Sequence, residues 1–260
     1  WVVFYALWAL WMLLLPFILI TLVFSIVGTN VRYYGFKIYR GGDKLYIEYG
    51  LLNKKKYTLP AEGVNGITIK QNLIRRLLGL GTIHASSAGY GDEEKEEALI
   101  FPLANEAEAR RIIQILLPEM SMTVPLTKAE KKVASMFFVK PLLFWSAILT
   151  AGTLINRQLA YGFILLPFVI LASYLDYRNS GIGCDETRVM ICSGSFSSKK
   201  TIVPFSKVQI LRKKESIFQK RKDVCTYAVE FYGGKLGENA SAKHLKAELF
   251  EELAAKHLAN

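Results

Sequence analysis

Two long apolar stretches alternate with two polar blocks along the 260-residue chain. The first stretch covers residues 1–31 without a charged side chain, and the second runs from about Val133 to Leu175. A helix of about 20 apolar residues is long enough to cross the hydrocarbon core of a bilayer. The second stretch is about twice that length and contains one strongly polar cluster, Asn156-Arg157-Gln158. It therefore predicts two membrane-spanning helices joined by a tight turn.

The first stretch begins at Trp1 and not at Met, so we expect it to be the remainder of a longer N-terminal region. Proline is favoured in the first turn of a helix, where its missing N–H costs nothing. We therefore predict a truncated hairpin whose second helix begins at Pro16; a single helix kinked at Pro16 is the alternative. A secretory signal is excluded, because the stretch has no charged start and is too long.

The two polar blocks align with each other when the sequence is shifted by 144 residues without a gap. Ten identities fall within positions 33–82, and they include Gly50 with Gly194 and Pro60 with Pro204. An apolar stretch precedes each copy. The pattern predicts an internal repeat whose unit is an apolar hairpin followed by a polar module.

Within each polar block the apolar positions alternate with the period of β-strands. Strands are predicted at residues 36–40, 44–49, 56–60, 65–70, 81–86 and 98–103. Gly41-Gly42-Asp43 is a turn between the first two, and the acidic run Asp92–Glu97 is a solvated tip between the last two. Asn105 is the expected N-cap of a helix that ends at Leu117, with acidic residues in its first turn. A second helix is expected near residues 246–258.

Several short strands followed by one helix predict a small β-sandwich or partly open barrel with a helix closing one end. The expected fold class is thus an α+β membrane protein with two such domains, each preceded by a transmembrane hairpin. Five parts are predicted: a truncated hairpin at 1–31, the first module at 32–119, a linker at 120–132, a hairpin at 133–175, and a second, degenerate module at 176–260.

Most of the net charge of +11 lies in the polar blocks, which hold all but two of the 33 Lys and Arg residues. The turn of the hairpin offers only Arg157, so the positive-inside rule predicts that both modules are cytosolic. A nucleic-acid-binding role would need aromatic residues interleaved with the basic runs, and those are missing. The three cysteines, Cys184, Cys192 and Cys225, form no C-x-x-C pair, which indicates a reducing compartment.

Five basic clusters are the best candidates for a binding site. They are Lys54-Lys55-Lys56, Arg75-Arg76, Lys199-Lys200, Arg212-Lys213-Lys214 and Lys220-Arg221-Lys222. Leu77-Leu78 follows the second cluster and is expected to enter the membrane interface. Clustered basic residues beside a membrane attract anionic lipid. The alternative is that they serve only as a topology signal and as solvated strand edges.

No catalytic motif is present. The sequence has no phosphate-binding glycine loop, no G-x-G-x-x-G and no G-x-S-x-G. His84, His244 and His257 lack a second ligand at zinc-binding spacing. We therefore predict no enzymatic activity, no cofactor and no metal.

The residues from Lys44 to Ala88 follow a recognisable order. A strand is followed by Gly50-Leu51, the next strand ends with Leu59-Pro60, and Gln71 precedes the run Arg76-Leu77-Leu78-Gly79-Leu80. This order resembles the bacterial PH-like domain of the YdbS/YdbT type. The second copy departs from it at Lys220-Arg221-Lys222-Asp223-Val224, so a function tied to that loop is in doubt there.

The resemblance implies a split barrel of about seven strands capped by a helix, and larger members with three such domains. It also implies a bacterial plasma-membrane protein that works with a smaller membrane protein of the same family and protects the envelope against antimicrobial peptides. We accordingly expect a non-enzymatic scaffold that binds a partner protein or anionic lipid. A subunit of a lipid-handling or small-molecule export complex is the alternative.

Overall fold

The structure is a computed structural model that describes residues 30–87, 98–121, 125–233 and 237–259, together with single positions and pairs between 12 and 28. It divides into two compact units, Trp1–Thr58 and Leu59–Asn260. Most of the predicted N-terminal hairpin and all of the acidic tip Asp92–Glu97 lie outside the described residues. The described positions between 12 and 32 are helical.

The first unit contains the predicted hairpin around Gly42. Strands β1 (Lys37–Gly41) and β2 (Lys44–Tyr49) pair antiparallel, and β3 (Lys55–Pro60) is the third strand of their sheet. Tyr39 and Tyr46 are register partners, and their rings stack 5.2 Å apart. The strands expected at 36–40, 44–49 and 56–60 are thereby confirmed to within one residue at each end.

The second unit begins with the remaining strands of the first module and its helices. These are β4 (Val64–Asn72), α1 (Leu73–Leu77), β5 (Leu80–Ser87), β6 (Ala98–Asn105) and α2 (Glu106–Leu116). Helix α2 has the expected N-cap. Asn105 Oδ1 accepts a hydrogen bond from the backbone N–H of Glu108, and the Glu108 carboxylate accepts one from the backbone N–H of Asn105. This capping box satisfies two amides that a helix start leaves unpaired.

An apolar helix pair follows, made of α3 (Ala134–Ile155), a 3₁₀ helix (Arg157–Leu165) and α4 (Leu166–Asn179). Asn156 ends α3, as the sequence predicted for the turn, and its side chain accepts from the Gln158 amide. The α-helical hydrogen bonding of the second arm begins only at Leu166. Pro167 lies in its first turn, where proline is accommodated.

Both arms are long and apolar enough to span a membrane. Lys131–Ile155 and Arg157–Asn179 have mean hydropathies of 1.6 and 1.8, and only 11% and 6% of their most apolar windows are buried. A core helix of a soluble protein would bury most of such a window. These two spans belong to the predicted hairpin 133–175; an equivalent hairpin before the first module falls largely outside the described residues.

The rest of the chain forms the second module, preceded in sequence by the short strand β7 (Thr127–Lys128). Its elements are β8 (Gly181–Cys184), β9 (Arg188–Ser193), β10 (Ser197–Pro204), β11 (Val208–Lys214), α5 (Ile217–Lys220), β12 (Val224–Phe231), β13 (Glu238–Lys246) and α6 (Leu249–Ala259). When the bounds of β2 and β5 are shifted by 144 residues, they coincide with those of β9 and β12.

Strands of both modules form one antiparallel sheet. Its order is β6-β5-β4-β10-β9-β8-β7, so β4 of the first module pairs directly with β10 of the second. Their register runs from Ile67 opposite Ile202 to Asn72 opposite Ser197. The sequence pattern predicts two separate β-sandwich or barrel modules, whereas the structure joins them in one sheet because β4 pairs with β10.

The core of the second module lies between that sheet and the three-stranded sheet β11-β12-β13. Phe205, Tyr227 and Phe231 are its largest fully buried side chains. Leu253 of α6 closes one side, and Phe137 from α3 also belongs to this core. The start of α3 is therefore packed into the core of the module that follows the helix pair.

The aligned glycines of the two copies share one backbone conformation. Gly50 and Gly194 both have φ of 105°, in the region that disfavours residues with a Cβ. A Cβ at Gly50 would lie 2.2 Å from the Asn53 carbonyl oxygen, and one at Gly194 would lie 2.0 Å from that of Ser197. The identity thus marks a turn that only glycine can make in each copy.

Candidate functional site

The basic cluster Lys54-Lys55-Lys56 lies in the first unit, on the turn that enters β3. All three side chains are exposed, and Lys56 Nζ is 3.0 Å from a carboxylate oxygen of Glu48 on β2. An exposed ion pair of this kind contributes little to stability. The cluster remains accessible to a charged surface.

Arg75, Arg76, Leu77 and Leu78 lie on and just after α1, the short helix between β4 and β5. Leu77 is 81% exposed and Leu78 67%, while both arginines are half-buried. The Arg75 guanidinium donates to the Thr82 hydroxyl of β5. Arg75 is thus held against the sheet, and the leucines point into solvent.

The corresponding helix of the second module, α5, carries the same kind of apolar tip. Ile217 and Phe218 are 75% and 72% exposed. The shift of 144 residues places Ile217 and Phe218 on Leu73 and Ile74, of which Ile74 is 73% exposed. We call Ile74, Leu77 and Leu78 the first apolar tip, and Ile217 and Phe218 the second apolar tip.

Strand β11 leads into α5 and carries the cluster Arg212-Lys213-Lys214, all of it exposed. Arg212 pairs with Glu230 at 3.3 Å, and Lys213 pairs with Glu215 at 2.8 Å, which raises the pKa of Lys213. The basic run after α5, Lys220–Lys222, is exposed as well. The second apolar tip therefore has basic residues on both sides.

Helix α5 lies beside the start of α3. Lys222 Nζ donates to the Lys132 carbonyl oxygen at 3.2 Å and to Ser135 Oγ at 3.3 Å. Gln219 Nε2 is 3.0 Å from Nδ1 of His244, whose ring packs against that of Phe137 at 4.6 Å. The second apolar tip is therefore fixed next to one end of the apolar helix pair.

Helix α1 is connected to the second helix of the pair, at the close of α4. Asn179 Nδ2 donates to the Gly194 carbonyl oxygen at 2.6 Å, which holds the β9–β10 turn to α4. The first residue after that turn, Ser197, is the register partner of Asn72, the N-cap of α1. Each apolar tip is thus connected to a different helix of the pair, at the end opposite the turn.

The cluster Lys199-Lys200 lies on β10 and lines a cavity of about 310 Å³ beside the seam with β4. We call this space the cationic cavity. Its charged lining residues are Arg76, Lys128, Arg178, Lys199, Lys200 and Glu106. The structure therefore brings two of the predicted clusters together, in part, around one space.

One carboxylate faces these five cations, and it is already engaged. Glu106 Oε1 is 3.2 Å from Lys200 Nζ and 3.0 Å from Arg110 Nη2. The hydrogen bond from Arg110, followed by the charge of Lys200, lowers the pKa of Glu106. Nη1 of Arg76 is buried and has no hydrogen-bond partner within the described part of the chain.

Cys192 also lines the cationic cavity, but it is unsuited to nucleophilic chemistry. Burial raises the pKa of its thiol to about 11, although the charges of Lys200 and Lys128 act in the opposite direction. The reactive thiolate is therefore scarce at neutral pH. Among residues 30–87, 98–121, 125–233 and 237–259, no group of His, Cys, Asp and Glu side chains is arranged to hold a metal.

A second space lies between α3 and α4 and has a volume of about 350 Å³. Its lining is mainly apolar and includes Trp145, Phe168 and Phe196. Its one charged lining residue, Asp176, is 2.9 Å from Lys243 Nζ. A path for polar solutes would need polar groups along its length, so this crevice does not favour the export alternative.

Lys128 and Arg178 are lining residues that the sequence pattern does not indicate, because both are isolated basic positions and belong to no cluster. The one available signal was the position of Arg178 in the last turn of an apolar helix. Their contribution depends on the β4–β10 pairing, which joins strands far apart in the chain.

The fold, the tips and the cavity describe a protein built from two small β-rich modules and an apolar helix pair. The chain matches the family described as Bacterial PH domain twice, over residues 2–120 and 137–260. It belongs to this family, as the sequence analysis predicted.

The relative that refines this class is the UPF0699 transmembrane protein YdbT of Bacillus subtilis (strain 168), to which the chain is 27% identical over 203 residues. The alignment covers 76% of the chain and 41% of the relative, so the chain spans about two fifths of that protein. The chain is thus a bacterial PH-domain protein of the YdbT type.

Proposed function

We propose that this chain is a non-enzymatic membrane protein that places two apolar tips on the surface of an anionic bilayer. The helix pair spans the membrane, both modules lie in the cytosol, and the tips enter the headgroup layer on either side of the pair. The observation that supports this proposal is the connection of each tip to a different helix of the pair, at the end opposite the turn, through Lys222 and through Asn179.

The side chains of the tips suit this contact. Fully burying a Leu or Phe side chain contributes about 1.5–3 kcal/mol. A Lys or Arg near an anionic surface adds about 1 kcal/mol. Leu77, Leu78 and Phe218 are mostly exposed in the protein, with basic residues beside them. A membrane surface would cover the apolar part and attract the basic part.

The orientation follows from charge. The turn of the helix pair carries Arg157, and the polar blocks at 32–132 and 176–260 carry 31 Lys and Arg residues. The positive-inside rule places the blocks in the cytosol. The similarity to a protein named as transmembrane supports the membrane assignment.

We further propose that the modules at 32–119 and 176–260 arose as an internal repeat. The matching bounds of β2 with β9, and of β5 with β12, support this. The second copy lost the Arg-Leu-Leu-Gly-Leu run but has Ile217 and Phe218 exposed on α5. The departure at residues 220–224 therefore changes the composition of the tip without removing it.

Envelope defence and a smaller partner of the same family are proposals that rest on the family resemblance. A strain lacking the gene should become more sensitive to membrane-active peptides. Unchanged sensitivity across a panel of such peptides would count against this role. It would not affect the proposed contact of the tips with the membrane, which the next measurement tests separately.

The tips are tested on the full chain in lipid nanodiscs with an environment-sensitive fluorescent amino acid at Leu77 or at Phe218. Ser206 is the matched control, since it is exposed at the opposite end of β10 from the α1 side. In anionic nanodiscs, brominated acyl chains should quench the probes at Leu77 and Phe218 but not at Ser206. Equal, water-like emission from all three positions would overturn the proposal.

A further inference from the structure

The cationic cavity has an excess of positive side chains that the folded chain does not neutralise. Lys199 and Lys200 come from β10, Arg76 from α1, Lys128 from β7 and Arg178 from α4. Glu106 is shared between Lys200 and Arg110. Arg76, Lys128, Arg178 and Lys199 form no ion pair with another residue that the structure describes.

Arg76 is the residue for which this imbalance matters most. Lys128, Arg178 and Lys199 are exposed, so water solvates their charges. Nη1 of Arg76 is shielded from solvent and has no hydrogen-bond partner within the described residues. A buried donor on a charged group is costly when it is left unsatisfied. An acceptor oxygen inside the cavity would remove this cost.

The arrangement suits a tetrahedral oxyanion. Guanidinium and ammonium donors from four different elements surround the space, and arginine forms strong charge-assisted bonds to phosphate. The eleven-residue helix α2 also begins at the cavity, where Asn105 and Glu106 are lining residues. The positive end of its dipole adds to the attraction for an anion.

The position of the cavity indicates where the phosphate comes from. Arg178 and Asn179 end the apolar helix α4 and line the cavity. If α4 spans the membrane, as in the proposed function on which this step rests, its polar end lies at the depth of the lipid headgroups. We propose that the cationic cavity binds the phosphate of an anionic phospholipid headgroup, with Arg76 as its buried donor.

The test uses calorimetric titration of the full chain in detergent micelles. Dioctanoyl phosphatidic acid, inorganic phosphate and dioctanoylglycerol are the three probes, and the last has no phosphate. We expect saturable binding of the phosphatidic acid and none of dioctanoylglycerol. Arg76→Gln should weaken binding about tenfold or more, since a hydrogen bond to a charged group is lost.

Arg111→Gln is the matched control, because Arg111 is exposed on α2 and does not line the cavity. It should bind as the unchanged chain does. Lys199→Gln, at an exposed rim position, should weaken binding several-fold and keeps the test decisive if Arg76→Gln fails to fold. Equal affinity in Arg76→Gln, Lys199→Gln and Arg111→Gln would overturn the site.

The remaining outcomes separate the site from the proposed function. Phosphatidic acid that binds much more tightly than inorganic phosphate supports a lipid source, and equal affinity of the two rejects it in favour of a free phosphate. If the tip probes are quenched but Arg76→Gln binds phosphatidic acid as tightly as the unchanged chain, the cavity is rejected as the binding site and the proposed function is retained. Water-like emission from the tip probes, together with phosphatidic acid binding that Arg76→Gln weakens, would reject the proposed function and support the cavity.

Discussion

The hydroxyl oxygens of Thr68 and Thr201 lie 3.2 Å apart, buried, on directly opposed positions of β4 and β10. The two residues are 133 positions apart in the chain. Between them lie the last strands of the first module and the whole apolar helix pair. This hydrogen bond therefore joins the two modules at the centre of their shared sheet.

Replacing one threonine of this pair should weaken the shared sheet. In Thr201→Val the hydroxyl of Thr68 stays buried without its partner, and an unsatisfied buried group costs about 1–3 kcal/mol. Thermal unfolding in detergent, followed by circular dichroism, should show a lower Tm for the variant.

The double variant Thr68→Val, Thr201→Val provides the control. With both hydroxyls removed and the shape kept, stability should return most of the way to that of the unchanged chain. If the two single losses simply add, the hydroxyls do not interact and the hydrogen bond makes no contribution.

Gly194→Ala should destabilise the protein strongly. The added Cβ would meet the Ser197 carbonyl oxygen at 2.0 Å, so the loss should exceed the roughly 1–2 kcal/mol cost of left-handed backbone alone. Gly79 is a suitable control: its φ is 68° and a Cβ there meets nothing within 4 Å. Asp223 occupies the aligned position with φ of 54°, so Gly79→Asp should incur only the backbone cost and lower the Tm less than Gly194→Ala does. Equal losses at both glycines would contradict the role of the close contact.

The contact between α5 and the start of α3 should weaken in acid. Burial, followed by the charge of Lys243, lowers the pKa of His244, while Asp176 acts in the opposite direction. The folded protein then binds fewer protons than the unfolded chain. Stability is therefore complete above the ordinary histidine pKa near 6.5 and is lost as the pH falls towards the lowered folded-state value.

This is measured as the difference in Tm between about pH 7.5 and pH 5.5, for the unchanged chain and for His244→Asn. Asparagine tolerates the positive φ of 55° at this position. The variant should lose less stability on acidification. An identical pH dependence in both proteins would show that His244 does not contribute.

Thiol labelling in intact cells tests the membrane orientation. Gln158→Cys, in the exposed turn of the helix pair, should react with an impermeant reagent. Ser206→Cys should react only after permeabilisation. Native Cys184 should likewise stay unlabelled in intact cells, and burial raises the pKa of its thiol, so its reaction is slow even in lysates. Labelling of Ser206→Cys in intact cells would place the modules outside.

The local elements could be predicted because their signals are local. The turn at Gly42 and the cap at Asn105 each depend on residues within a few positions, and strands and helix formed where the pattern placed them. The polar break at Asn156 ended α3 for the same reason.

The shared sheet and the cationic cavity could not be predicted in this way. Lys199 lies opposite Lys70 because β10 pairs with β4. No short-range sequence pattern specifies this pairing. Arg178 and Arg76 are distant in sequence and line one space only after the strands have paired. The sequence shows which basic residues are adjacent in the chain. It does not show which basic residues become neighbours only through tertiary structure.

The pairing of β4 with β10 also determines an order of events during synthesis. When β4 leaves the ribosome, its partner is 133 residues from being made, as counted between Thr68 and Thr201. At typical translation rates of about 5–20 residues per second, that delay is roughly 7–27 seconds. Throughout it, the nascent chain presents an unpaired strand edge while its helix pair is delivered to the membrane. Lys70 on that edge is the kind of residue that discourages premature association of strands.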